Sequence, residues 1–178
     1  MEDMNNTEYV ECEVVNDGFG QSGGSFGGDI YTHSFEEYVG TNIEYYLSKK
    51  LDMERKGTNR SWNWAAFFFT GNWLAFRKDL KLGVLFNVIT GVCSGLATIS
   101  RGFGTIGLLL QLAISLYVGF YGNSFYFKSI EERQTEEAGK NFTEAKTEYF
   151  HKHSGTSVPY VIIALIASAV VTKLFGLG

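Results

Sequence analysis

Three uncharged stretches constrain this chain more than any other feature. Leu82 to Ile99 runs eighteen residues without a charge, Phe103 to Tyr121 nineteen, and Thr156 to Thr172 seventeen. A helix needs roughly 20 apolar residues to cross a hydrocarbon core of about 30 Å. All three runs meet that length once their ends fray, and Lys173 can carry its ammonium outward on an aliphatic stem. The competing reading, a buried helical hairpin of a soluble protein, asks for a polar face on each helix. Instead, polar groups are sparse: Asn87, Thr90, Ser94 and Thr98 in the first run, Gln111 and Ser115 in the middle of the second. Small residues recur at helical spacing, Gly91 with Gly95 and Ala164 with Ser168 and Thr172. Such rows let helix backbones approach closely. The fold expected is therefore all-α, an integral membrane protein with three transmembrane helices over 82–99, 103–121 and 156–175.

Lys and Arg near the ends of the spans set the orientation. Residues 49–81 hold eight: Lys49, Lys50, Arg55, Lys56, Arg60, Arg77, Lys78 and Lys81. Residues 122–155 hold five, Lys128, Arg133, Lys140, Lys146 and Lys152. The other two flanks hold only Arg101 and Lys173. This bias predicts a cytoplasmic N-terminus, an outside Arg101 hairpin, a cytoplasmic loop over 122–155 and an outside C-terminus.

Charge is also divided along the chain. Residues 1–34 carry seven acidic groups and no Lys or Arg, so the net −4 comes from the tail alone. Residues 1–33, rich in Gly, Ser and acids, read as a disordered cytoplasmic tail that cannot bury enough apolar surface to order itself. Its Gly18-Phe-Gly-Gln-Ser-Gly-Gly24 run lacks the G-K-[ST] ending of a phosphate loop. No signal peptide is expected, because the opening residues are acidic and polar. Cys12 and Cys93 fit neither a disulfide framework nor a metal site. No metal, cofactor or nucleic-acid partner is expected.

Ser34 and Glu37 form a capping-box pattern that opens a cytoplasmic amphipathic helix over 34–60. Phe35, Val39, Ile43 and Tyr46/Leu47 give its apolar stripe, and Lys56–Gly57 its stop signal. The most distinctive stretch follows, over 61–81. Trp62 to Phe76 is fifteen uncharged residues, seven of them aromatic, which is short for a span. It reads as an interfacial or re-entrant helix, broken at Gly71-Asn72, with the first span beginning at Trp73. Trp62, Trp64 and Trp73 suit the headgroup level. Arg77, Lys78 and Lys81 suit anionic lipid heads, at about 1 kcal/mol each. Within 122–155, Lys128 to His153 reads as cytoplasmic helix, with Glu136 and Lys140 placed for an i,i+4 pair.

Several of these blocks resemble the family of small bacterial membrane proteins called domain of unknown function 2628. The resemblance covers about residues 34–160. It rests on Gly40, Tyr45, Tyr46, then Asn63-Trp64-Ala65-Ala66-Phe67-Phe68, Trp73, Arg77 and Lys78, with Gly122, Asn123, Tyr126, Gly155, Thr156 and Ser157 downstream. Gly71-Asn72 stands where Gly-Pro is usual, Phe76 where Tyr is common, and a Gly-rich acidic tail where many relatives carry a zinc ribbon. The resemblance implies the bacterial cytoplasmic membrane and no established activity.

The function expected is non-enzymatic: binding of anionic membrane lipids, of a cytoplasmic or membrane protein partner, or of a second copy. Two alternatives belong to other classes. A small transporter or channel subunit could exploit a broken helix, although no span carries an ionisable residue in its middle. A lipid-acting enzyme would rest on His151 and His153 with Glu148, but a helical metal pair wants a spacing of four. No catalytic residue is assigned.

Overall fold

A computed structural model describes residues 32–176, and every regular element among them is a helix. The tail placed at 1–33, with Cys12, lies outside the described residues apart from Thr32 and His33.

The chain enters at Ser34. Its hydroxyl accepts from the Glu37 amide while the Glu37 carboxylate accepts from the Ser34 amide, a reciprocal cap that satisfies two orphan donors. The single helix expected over 34–60 is two: α1, Phe35–Val39, and α2, Ile43–Lys56. Gly40, at φ +65°, makes the break, and Asn42 follows at φ +58°. Glycine adopts that backbone without steric cost. The bend lets Phe35, Tyr38 and Val39 of α1 and Tyr46 and Met53 of α2 enter one core. The stop expected at Lys56–Gly57 is present, with Gly57 left-handed beyond α2.

Two short helices come next, α3, Trp64–Phe69, and α4, Gly71–Phe76. Three long ones dominate the molecule: α5, Leu80–Ile99, α6, Arg101–Ala138, and α8, Val158–Gly176, with α7, Thr143–His153, before the last. Each of α5, α6 and α8 is long and apolar enough to cross a membrane. The first span does not begin at Trp73. Arg77 to Asp79 turn the chain, Lys78 takes φ +63°, and the Asp79 carboxylate caps α5 through the Leu82 amide at 3.1 Å.

Helix α6 does not stop where its apolar run stops. Its 38 residues span about 57 Å at 1.5 Å per residue, nearly twice a hydrocarbon core. The stretch 122–138 is therefore the same helix, not a separate element of a loop. Because α6 ends at Ala138, Glu136 and Lys140 do not pair. Glu136 accepts from the Tyr149 hydroxyl at 2.6 Å, and Lys140 lies over the Tyr149 ring at 5.1 Å.

Among the long helices α5 is central, packing on both α6 and α8. A Cβ on Gly91 would lie 2.7 Å from the Ser168 carbonyl oxygen, and one on Gly95 would strike the Phe175 ring. The Thr172 hydroxyl reaches the Gly91 carbonyl at 3.3 Å, and Ala164 is fully buried. Gly91 and Gly95 therefore face α8. The aromatic core sits elsewhere, at the end where α6 outruns α5. There α1, α2 and α4 close over Tyr126, Phe127 and Ile130.

Candidate functional site

The short helices α3 and α4 form a hairpin that leans into the apolar half of α6. The chain entering it is stitched to α6 by its backbone. Ser61 N–H donates to the Phe120 carbonyl and Asn63 N–H to the Gly119 carbonyl, both at 2.9 Å. Asn63 then caps α3 through the Ala66 amide at 3.0 Å and donates its own amide to Asn123 at 2.7 Å. Asn123 donates in turn to the Ser61 hydroxyl at 3.2 Å. This closes a buried polar circuit, in which each group would be costly alone. Glycines permit the approach: a Cβ on Gly122 would sit 2.8 Å from the Ala66 Cβ, and one on Gly119 would sit 3.0 Å from Phe67 and Trp62.

The break falls at Thr70, one residue before the Gly71-Asn72 expected from sequence. Thr70 takes φ +45°, a conformation that costs a β-branched residue about 1–3 kcal/mol. Its hydroxyl lies 3.4 Å from that of Ser115, so the tip reaches about 12 Å along α6 from the level of Asn123. The return helix α4 is pressed onto α5. A Cβ on Gly83 would lie 2.7 Å from the Ala75 Cβ, and one on Gly71 would meet the Asn87 amide.

The hairpin ends at Arg77, which is 3% exposed. Its guanidinium donates to the Thr41 hydroxyl at 3.1 Å and the Tyr46 hydroxyl at 2.9 Å. It lies over the Tyr46 ring at 4.5 Å and the Tyr126 ring at 5.4 Å. Each such contact contributes about 0.5–2 kcal/mol. No carboxylate among the described residues pairs with it. Its Nε and the Tyr126 hydroxyl are buried without a hydrogen-bond partner among the described residues. Beside it opens a cavity of about 380 Å³, lined by Ala65, Phe69, Asn72, Trp73, Phe76 and Val161.

The six residues predicted as an interfacial group do not form one patch. Trp64 is exposed beside Phe68 and Phe69, at 63%, 68% and 62%. Trp62 is half-buried against Phe120 and Phe67. Trp73 is buried against Tyr126. Lys78 reaches the carbonyls of His151 and Lys152 at the end of α7, at 3.3 and 3.0 Å, and burial lowers its pKa. Lys81 lines a different cavity, together with Lys78, Lys128, Glu132 and Arg133. Burial raises the Asp79 carboxyl against the pull of the Leu82 amide and Arg133.

A second buried polar group locks the entry of the chain. Glu137, with no exposed surface, accepts from the Tyr38 hydroxyl at 2.8 Å and pairs with His33. The Phe150 ring stacks on His33 at 3.6 Å. Burial and the Glu137 carboxylate push the Tyr38 hydroxyl far above its ordinary pKa. Arg133 donates to the His153 carbonyl at 3.0 Å and the Ser129 hydroxyl at 2.8 Å. Among the described residues no group of three His, Cys, Asp or Glu could hold a metal ion. Sequence reasoning did not find Glu137, Tyr38 or Thr41, whose partners are remote in the chain, and it read Asn72 only as part of the helix break. Tyr46, Asn123 and Tyr126 were visible in the blocks that carry the family resemblance, and those blocks converge here with Asn63, Trp73 and Arg77.

A family model described as "Protein of unknown function (DUF2628)" matches residues 33–132. That region contains α1 to α5, the hairpin and most of α6. No curated protein and no solved structure matches the chain.

Proposed function

The chain belongs to the DUF2628 family, and from that premise we propose that it is a non-enzymatic, lipid-binding protein of the bacterial cytoplasmic membrane. In this reading α5, the first half of α6, and α8 cross the bilayer. The hairpin α3–α4 enters from the cytoplasmic side and returns, a re-entrant element. Helices α1, α2 and α7 with the end of α6 form a cytoplasmic cap. The thirteen basic residues of 49–81 and 122–155 against the two on the other side support this orientation. The cap and the acidic tail offer a surface for a protein partner.

The observation that carries the reading is the depth of the hairpin. Its tip, Thr70, lies beside Ser115, seven residues inside the apolar run of α6 from the Gly122 end, while Trp64, Phe68 and Phe69 are exposed. Exposed aromatics at that depth need an apolar solvent. Backbone that is not part of a spanning helix is tolerated there only when packed on protein, as Asn63, Gly119 and Gly122 arrange.

The test places the hairpin directly. With Trp62→Phe and Trp73→Phe, Trp64 is the only tryptophan. In vesicles with brominated acyl chains its fluorescence should be strongly quenched, and Arg101→Cys should react with a reagent confined to the outside. An unquenched Trp64 in a correctly inserted protein would remove the re-entrant reading, and protection of the Arg101→Cys thiol would reverse the topology.

A further inference from the structure

We infer that the cavity beside Arg77 is a binding site for one anionic phospholipid, with the phosphate on the Arg77 guanidinium and an acyl chain along the aromatic wall of the hairpin. The inference rests on the proposed membrane placement and assigns the ligand class at this position.

Arg77 is the starting point. A buried cation normally has a carboxylate or some other anion against it, because desolvation without compensation is expensive. Arg77 has two hydroxyls, the Thr41 carbonyl at 3.5 Å and two ring faces instead, and its Nε–H donates to nothing among the described residues. A guanidinium with a spare N–H matches phosphate oxygens in geometry as well as charge. Asn72 lines the same cavity, and its buried Oδ1 accepts from nothing among the described residues. One unmade donor and one unmade acceptor on two residues that line one cavity fit a ligand that carries an anionic oxygen and a hydroxyl. An anionic phospholipid with a hydroxylated headgroup has both.

The remainder of the cavity is apolar. Ala65, Phe69, Trp73, Phe76 and Val161 come from α3, α4 and the start of α8, and Phe69 is itself well exposed. At about 380 Å³ the space falls in the roughly 300–1,000 Å³ range of small-molecule sites. It accommodates a headgroup and the first part of a chain, the rest lying in the bilayer. A free phosphate would leave the aromatic wall unused. Arg77 also joins α4 to α2 through Thr41 and Tyr46, so a seated phosphate would bear on the contact between hairpin and cap.

The experiment uses the full chain in vesicles of phosphatidylcholine and phosphatidylglycerol in equal amounts, with bromine on the chains of one lipid or the other. Two forms are compared, one with Trp64 alone and one with Trp73 alone (Trp62→Phe with Trp64→Phe). Trp73 should be quenched by brominated phosphatidylglycerol with an apparent affinity about tenfold above phosphatidylcholine, as one charge-assisted hydrogen bond would give. Arg77→Gln should abolish that preference. Since Arg77→Gln could also disturb the cap, Val161→Phe narrows the cavity with Arg77 intact and should reduce the preference as well. Equal quenching of Trp73 by both lipids, with Trp64 still quenched, overturns the site and leaves the proposed function standing. A preference that survives both substitutions is surface attraction by exposed lysines and also overturns the site. A preference removed by soluble glycerol phosphate overturns the lipid assignment in favour of a free phosphate ester. Absence of quenching at both Trp64 and Trp73 removes the membrane reading and this inference with it.

Discussion

The two halves of α6 obey opposite rules. From Arg101 to Tyr121 the helix exposes Leu108, Leu109, Leu110, Leu112 and Leu116, the first of them by 70%, and what it buries before Val118 is Gly107. From Gly122 to Ala138 it buries Tyr126, Phe127 and Ile130, and beside them the charged Arg133 and Glu137. The helix is continuous, with the same geometry throughout, so local propensity does not set the difference. The surroundings do. In the cap, burial of apolar surface and satisfaction of polar groups hold the chain together. Among the long helices, close approach at Gly91, Gly95 and Gly107 takes over, as the proposed membrane placement would require, since lipid is as apolar as the side chains.

The sharpest test of that contrast pairs a charge with a leucine. Glu137→Ala leaves Tyr38 and the groups around His33 facing a void, and should cost the cap about 3 kcal/mol. Leu109→Ala, although larger in apolar loss than most surface changes, should cost less than about 0.5 kcal/mol in lipid. Thermal or denaturant unfolding in bicelles, read by limited proteolysis of the cap, measures both, and equal losses would erase the distinction. The next pair concerns glycine. Gly83→Ala drives a methyl into the Ala75 backbone and should cost about 2 kcal/mol. Gly102→Ala meets only the Ser100 hydroxyl at 3.9 Å and should gain roughly 0.5–1 kcal/mol from helix propensity. Asn123→Ala opens the circuit of Asn63 and Ser61 and should lose about 1–2 kcal/mol, seen as faster cleavage near residue 61.

The smallest effect lies at the junction of the two regions, at Asp79. Burial raises its carboxyl, so the folded state binds the proton more tightly than the unfolded one. Its contribution is then fully favourable below the unfolded value and is lost as pH rises through the folded one. Asp79→Asn keeps the cap on Leu82 and should raise the melting temperature slightly near about pH 7, an advantage that fades toward about pH 4. An advantage unchanged between those two conditions would show that burial of the charge is not its source.

Much of the all-helical architecture was legible in the sequence. Charge-free length alone places α5, the first half of α6 and α8, and Ser34 with Glu37 marks the entry of α1. What was not legible depends on distant partners. Gly40 divides a helix because the core needs two directions at that point, which the stripe Phe35, Val39, Ile43, Tyr46 does not state. The change from run to loop at Tyr121 is a change of polarity, and a helix has no reason to end where its surroundings change. Trp73, Lys78 and Lys81 carry side chains typical of a headgroup layer, yet Trp73 packs on Tyr126, while Lys78 reaches the carbonyls ending α7 and shares a cavity with Lys81. Thr70, not Gly71, takes the strained backbone, since Gly71 is needed flat against Asn87 and Gly83.

The hydrogen bond between His33 and Glu137 joins residues 104 positions apart, and Asn63 meets Asn123 across 60. A ribosome adding about 5–20 residues per second needs roughly 5–20 s to supply Glu137 after His33. Segments made early thus wait for partners made late. During that interval Trp64, Phe67, Phe68 and Phe69 have left the ribosome, and the glycines of α6 that receive them do not yet exist. The newborn hairpin must wait without the surface that receives it, and a stall between residues 70 and 119 would strand its most aggregation-prone stretch without a seat.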